Sequence, residues 1–599
     1  MIYIGLIQFK DKIDQDDALS KALSSFSSIP PIIMRKGALT LCCGKLSASQ
    51  DLDEIWENES SITLGRIFDK STNLAFDRKE YKQLSHFDKK SNLRRIWGKY
   101  VYFDVSKKDS EFEIILDTTG QLPFFYTSFP DGNILFSSNI EFLYRFFSKK
   151  PEYNWEYLCS YLIFGNSSSI QTPFKNIYEL PPACALRITR DNLKTSPSWN
   201  PLESYKSEDL NKRDAVDILN SALKPWIEPY QNIYVSLSGG LDSSSLVYCL
   251  SKLVKKDQNL KAINYFHSNI QTSNELVHAR KVCEETKVEL IEIDALNSLP
   301  FDQPLKKQPL KPNKPFSGLV SLRWTDTIYD HIPSQDPFTL ISGHGSDHIF
   351  MRPPSKNAPS DFLLENGLHG FKKELDATTH FFRDSLYSIF KGNLKNLFTY
   401  SLQLKREKRC LREKLKILPR WIKNDLIKNT TNKFFHPIYI NLSRKILPGK
   451  YDQIDALYEG LASIHVEMST QSDPTYYPFL YEPLVEFALS YPTYQLFDKG
   501  YDRYPLRQAI SHHFKTETVW RRDKSQTTGI FQLGLNKNLE YVLDLCLEGK
   551  FVKQGVIDKG GLEQTINLIA SGDVKHMWSF LQLASCELFL RDWEEKVYA

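Results

Sequence analysis

Residues 234–243 read YVSLSGGLDS, an apolar run that stops against two serines, two glycines and an aspartate. A strand ending in such a turn lets backbone N–H groups converge on one point, and a helix starting directly behind it adds the partial positive charge of its N-terminus. Such a nest holds an oxyanion. Ser238, Gly239, Gly240 and Ser243, with Ser244 just beyond, supply amides and hydroxyls suited to phosphate oxygens. Asp242 differs in kind. A carboxylate beside a polyphosphate repels it unless a divalent cation lies between them, and Mg²⁺ takes carboxylate together with phosphate oxygens. The turn is neither a Walker loop nor the dinucleotide pattern GxGxxG. Two glycines alone would pass as a tight strand-to-helix connection with capping serines, but SGGLDSS at the end of the first strand of an alternating pattern is far more specific.

That pattern extends on both sides of the turn. A helix is expected over 212–227, a strand over 232–236, a helix over 243–253, a strand over 262–266, a helix over 274–286, and further strands over 289–293 and 338–342. Strands alternating with helices predict a parallel, doubly wound sheet. Beyond about residue 361 the periodicity is mostly helical. Upstream, short alternating runs at 2–9, 100–105, 112–116 and 134–137, separated by Gly, Asp, Asn and Pro, predict a β-rich domain, followed by a helix over 154–164. The polar stretch 190–206 is the candidate boundary, giving an expected first domain over 1–195 and a second over 205–599.

Composition narrows the function class. The 599 residues carry 76 basic against 72 acidic side chains, a balance too even to make nucleic acid or an anionic membrane the main partner. The nine cysteines are odd in number and never spaced CxxC, which argues against a disulfide framework or a zinc site and for a reducing cytoplasm. No apolar run approaches membrane-spanning length and no secretory start is present, so membrane insertion is not expected. Residues 405–423 hold nine Lys or Arg against two Glu. They read as a solvated helix face, with a docking surface for an acidic peptide or partner as the alternative.

Several segments together resemble one family, the asparagine synthetase type of ATP pyrophosphatase. SGGLDSS looks like its pyrophosphate loop, Asn274 and Glu275 fall at its acidic helix start, and 342–348, SGHGSDH, is similar to its SGEGSDE-like loop. YPFLYEPLVEFALSYP (477–492), LRQAI (506–510) and RRDKS (521–525) resemble its later segments. The resemblance implies that ATP and Mg²⁺ bind through Ser238, Gly239, Gly240, Asp242, Ser243, Ser244, Ser342, Gly343 and Asp347, with Asp242 and Asp347 as the metal-binding carboxylates. It implies that a substrate carboxylate attacks the α-phosphorus to form an acyl-adenylate, and that Lys524 stabilises the charge that develops.

LGRIFDK, WGKYVYFD, LDTTGQLPFFYTSFPDGNILFSSN and TPFKNIYELPP, in order over about 64–182, resemble the family's glutaminase half, a β-sandwich. That half depends on an N-terminal cysteine, yet position 2 is Ile2, which has no lone pair to attack an amide. Cys42 and Cys43 are the nearby thiols, and buried, inert cysteines are the commoner case. A degenerate glutaminase that makes no ammonia is expected.

If ammonia is not delivered, another amine must meet the adenylate. Two branches of the family have lost the cysteine: β-lactam synthetases, and lasso-peptide cyclases that join a peptide's N-terminal amine to an Asp or Glu side chain. The residue after SG in the second loop is Glu in asparagine synthetases and Tyr in β-lactam synthetases; here it is His344. A peptide α-amine, with a pKa of about 7.7 to 8.0, must lose a proton to attack, and an imidazole near 6.5 accepts one around neutral pH. The GHGxDH form and LGRIFDK look most like the lasso-peptide cyclases. That branch implies a precursor peptide as substrate and a leader-peptide-binding protease as partner. The alternatives are an ammonia-using asparagine synthetase, a β-lactam-type cyclase, and a docking scaffold that binds ATP without turnover. The sequence departs from the family at Tyr481 and Tyr476, which replace an aspartate and an arginine, and the nearest acid upstream of PFL is Asp473. Tyr476, Tyr477 and Tyr481 either line a peptide pocket or pack a core.

Overall fold

The computed structural model describes residues 1–9, 15–47, 52–83, 93–106, 110–166, 168–211, 213–270, 274–304, 308–332, 337–401, 417–423, 435–442, 446–468, 475–522 and 527–594. The strand Asn232–Ser236 lies at the centre of a five-stranded sheet whose neighbours all run parallel, in the order Glu289–Asp294, Asn259–Phe266, Asn232–Ser236, Phe338–Ile341, Thr475–Tyr476. Ile233 and Val235 on one face of this strand and Tyr234 on the other are all buried, as a strand covered on both faces requires. The chain winds one way from the first strand to the third, then crosses back to the fourth. The point where strand order reverses therefore falls between Asn232–Ser236 and Phe338–Ile341, and in open α/β sheets ligands bind beyond the strand ends at that point.

The expected elements are present with shifted ends. The first helix runs Ala215–Ile227 because Asp214 caps it, its side chain accepting from the Val216 amide. The helix behind the glycine turn starts at once, as Leu241–Leu253, and the second strand begins at Asn259 because its early residues pair with Asn232 and Ile233. The two-residue strand Thr475–Tyr476 is too short to leave a periodic signal.

The N-terminal half is a sandwich of two six-stranded antiparallel-paired sheets. Tyr3, Ile7, Leu39 and Leu41 of one sheet meet Ile62, Leu64, Val101, Phe103, Ile114 and Leu186 of the other in a shared core. The polar stretch read as a boundary opens with the strand Asn192–Pro197, paired with Cys184–Thr189 at the edge of the second sheet. An edge strand with one face to water tolerates such a composition.

The halves share buried surface. Phe68 and Trp97 of the sandwich pack with Trp226, Tyr476 and Tyr481 of the second half, the Trp226 and Tyr481 rings stacking at 4.7 Å and 11°. Lys314 pairs with Glu179 in full burial, and Lys70 pairs with Glu482. Of the basic run 405–423, residues 405–416 lie outside the described residues. No described helix is long and apolar enough to cross a membrane.

Candidate nucleotide and metal site

Two glycine loops leave adjacent parallel strands and meet. In the first, Gly239 has φ +76°, and a Cβ there would come 2.6 Å from the Cβ of His278, so only glycine suits both the backbone and the packing. The Ser238 amide donates to Ser243 Oγ at 3.2 Å, and the Gly240 amide donates to Ser238 Oγ at 3.3 Å. The helix that follows is capped by Gly240 without a side-chain hydrogen bond, so its start carries the helix dipole with no built-in anion in the cap position. In the second loop, a Cβ on Gly343 would sit 2.8 Å from the Ser243 nitrogen and 3.0 Å from the Asp242 carbonyl carbon. The second loop thus rests directly on the first turn of the helix behind the first.

Ser238, Gly240, Asp242, Ser243, Ser342, Gly343, His344 and Asp347 line one cavity of about 940 Å³. Gly239 and Ser244 do not line it. Gly239 shapes the loop from behind, its carbonyl accepting from Arg521 Nη1 at 3.0 Å while Arg521 also pairs with buried Glu275 at 2.8 Å. Ser244 Oγ is buried and has no hydrogen-bond partner among the described residues. Lys524 lies outside the described residues, as does Asp473. His344 Nε2 stands 3.5 Å from the Gly460 carbonyl, and its ring packs near His348 and edge-on to Tyr477. Asn274 caps its helix locally, its side chain accepting from the Leu276 amide.

The electrostatic centre of the cavity is a residue that no motif in the sequence singles out. Arg503 is 2% exposed. Its Nη1 lies 2.7 Å from both carboxylate oxygens of Asp242 and also holds Asp347, while its Nε donates to Asp502 at 3.1 Å. Asp502 also accepts from Arg507 Nη2 at 2.9 Å. Burial pushes the Asp502 carboxyl up, but the surrounding guanidiniums of Arg503, Arg507 and Arg352 outweigh it and hold the group below the usual carboxylate range. Burial pulls Arg503 down, and Asp242, Asp347 and Asp502 more than restore it, so it is firmly charged. In the sequence these groups are spread over YDRYPLR, where nothing sets one arginine apart from its neighbours.

The residues suit a magnesium–nucleotide complex. Among the described residues no group of three or more His, Cys, Asp or Glu is placed to hold a metal alone. Two carboxylates brought to one cation, beside a glycine cradle, are the donor set Mg²⁺ uses when phosphates supply the rest. Tyr476, Tyr477 and Tyr481 are buried at 3%, 4% and 0% exposure and do not line the cavity. Tyr476 hydrogen-bonds Tyr230 across 2.9 Å, and Tyr481 stacks on Trp226, so these positions pack the seam between the halves. In the N-terminal half, burial pushes the Cys42 thiol up to about 11 and Cys43 higher still, and both are buried. Neither is a nucleophile at neutral pH.

Comparison with known proteins agrees with this arrangement. Residues 85–199 match a glutamine amidotransferase domain, and residues 230–361 and 466–591 match asparagine synthase, taking in both glycine loops and Arg503. The microcin J25-processing protein McjC of Escherichia coli is 24% identical over 314 residues, and the chain spans about half, 52%, of that relative's length, with 52% of this chain covered. The glutamine phosphoribosylpyrophosphate amidotransferase from B. subtilis, complexed with ADP and GMP, aligns over 60% of this chain and 77% of its own at 9% identity and TM-score 0.21. An allosteric regulatory enzyme of purine biosynthesis aligns over 50% of this chain and 76% of its own at 10% identity and TM-score 0.20. Overlaps that slight carry no argument, and the fold rests on the topology above. An amidotransferase-type sandwich thus leads into a parallel sheet whose two strand-end loops lie inside the segments that match asparagine synthase, and in those segments the chain is similar to that family.

Proposed function

We propose that this chain is an ATP-dependent amide ligase that closes a macrolactam on a ribosomal precursor peptide, joining an Asp or Glu side chain to the peptide's N-terminal amine. The observation that carries the reading is the convergence of Asp242, Asp347 and the Ser238–Ser243 cradle on one cavity at the strand-order switch. His344 in the second loop, and a relative named for microcin J25 processing, favour a peptide over a free amino acid.

In this mechanism the cradle holds the departing pyrophosphate, and Asp242 and Asp347 would hold a magnesium ion that would neutralise charge on the phosphates. A carboxylate oxygen of the peptide attacks the α-phosphorus, the bond from that phosphorus to pyrophosphate breaks, and an acyl-adenylate forms. The peptide amine then attacks the acyl carbon, AMP leaves, and His344 takes the proton that the nitrogen sheds. Lys524 stabilises the oxyanion between these steps, as the resemblance implies. Because both reacting groups belong to one chain, binding the folded peptide raises their effective concentration, and enclosure keeps water from the adenylate. The first unit, drawn at 1–195 with its edge strand reaching Pro197, acts as a scaffold and not as a glutaminase. A leader-peptide-binding protease as partner and a cytoplasmic setting complete the proposal.

The test is incubation of the purified chain with ATP, Mg²⁺ and a linear precursor peptide. Equal amounts of AMP and of a peptide lighter by one water are expected, with AMP formation lost in both Asp242→Asn and Asp347→Asn. AMP formed with free aspartate and ammonia but not with peptide would move the assignment to an asparagine synthetase or a β-lactam-type enzyme. Nucleotide binding without AMP would leave only a docking scaffold.

A further inference from the structure

Arg503 occupies the place that the metal reading reserves for a cation. One guanidinium nitrogen lies 2.7 Å from both oxygens of Asp242 and also holds Asp347, so a Mg²⁺ shared by the two acids has to displace it. The two cations cannot occupy the same point between the same carboxylates. A bare metal ion would win the two acids only by leaving a 2%-exposed guanidinium with Asp502 as its remaining carboxylate partner among the described residues. A metal–nucleotide complex changes the balance, because its phosphates enter the same cavity and offer the guanidinium a charge-assisted, bidentate partner. Asp502, itself held by Arg507, tethers Nε at 3.1 Å, so the outer edge of the guanidinium can turn while its base stays in place.

We propose that Arg503 is an exchangeable counter-ion that keeps free divalent metal off Asp242 and Asp347 and so makes metal and nucleotide bind together. The inference rests on the reading of this cavity as a magnesium–nucleotide site, and it adds the order in which the site fills. By thermodynamic linkage, nucleotide tightens metal binding by the same factor that metal tightens nucleotide binding.

The test is Mn²⁺ titration of the full chain followed by the paramagnetic signal of the free ion, with and without an ATP analogue carrying a methylene bridge between the α and β phosphates. The wild type is expected to bind Mn²⁺ at least about tenfold more tightly with the analogue than without it, within the usual range of coupling. Arg503→Met is expected to bind Mn²⁺ at least about tenfold more tightly than the wild type when no nucleotide is present, with the coupling collapsing toward one. Added Mn²⁺ should raise the thermal midpoint of Arg503→Met, in which the guanidinium no longer lies between the two acids, and leave that of the wild type unmoved. Should the Met variant fail to fold, Arg503→Gln keeps a polar side chain of similar reach without the charge, and its free-metal affinity should exceed that of the wild type. Free-metal affinity unchanged in these variants, while the wild type still takes Mn²⁺ with the analogue, overturns the counter-ion role alone. No Mn²⁺ binding in any state, analogue included, overturns the site reading as well.

Discussion

Gly343→Ala tests whether the two strand-end loops act as one device. The added Cβ would lie 2.8 Å from the Ser243 nitrogen, 3.0 Å from the Asp242 carbonyl carbon and 3.1 Å from the Ser243 Cα. Ordinary contacts begin near 3.4 Å, and all three atoms are backbone of a helix start that has no flexible end to move aside. The second loop must therefore back away from the first by several tenths of an ångström. Overpacking of this kind costs about 1–3 kcal/mol. If that strain appears in the transition state, it lowers the rate of AMP formation by roughly five- to 150-fold. Gly392→Ala is the matched control: it sits in the helix Leu386–Ser401 with nothing within 4 Å of a Cβ, and alanine there is neutral or slightly stabilising. The assay is peptide-dependent AMP release and nucleotide affinity for both variants, with circular dichroism to verify folding. A folded Gly343→Ala enzyme working within twofold of the wild type would mean that the close approach of the loops is irrelevant to the chemistry.

The other expectations concern the seam and the sandwich. Burial pulls buried His436 down from the usual 6.5 to about 4, its Nε2 facing the Pro182 carbonyl at 2.9 Å while Nδ1 accepts from the Ile438 amide. The unfolded chain then binds the extra proton between those two values, so stability is full above about pH 6.5 and falls on acidification, by about 2 kcal/mol at pH 5 from this group. Urea unfolding at pH 7.5 and pH 5 should show a smaller drop for His436→Gln than for the wild type; equal drops would contradict the burial argument. Tyr481→Ala removes a fully buried ring stacked on Trp226 and should cost about 3–5 kcal/mol in unfolding free energy. A loss of peptide affinity with no loss of stability would restore Tyr481 to a binding role. The native chain should release no ammonia from glutamine and resist iodoacetamide at Cys42, since a thiol pushed to about 11 is only about one part in a thousand ionised at pH 8. Glutamine hydrolysis abolished by alkylation would reverse the degenerate-glutaminase reading.

The alternation of strands and helices, the glycine turn at 238–243, the second loop at 342–348 and the isoleucine at position 2 are all legible in the sequence. These are local facts: hydrophobic period, turn chemistry and the presence or absence of a side-chain lone pair are written residue by residue. Which strands are neighbours follows from the folded chain, and with it that the loops carrying Asp242 and Asp347, more than a hundred positions apart, share one cavity. The fold also decided that Arg503, from a helix start further on still, lies between them, and that Tyr476 and Tyr481 pack a seam with Trp226. The two-residue strand Thr475–Tyr476 and the polar edge strand Asn192–Pro197 were hidden for a related reason. What holds each of them is its pairing with a distant strand, and what makes Arg503 special is the pair of acids that the fold brings to it; neither leaves a mark on the residues nearby in sequence.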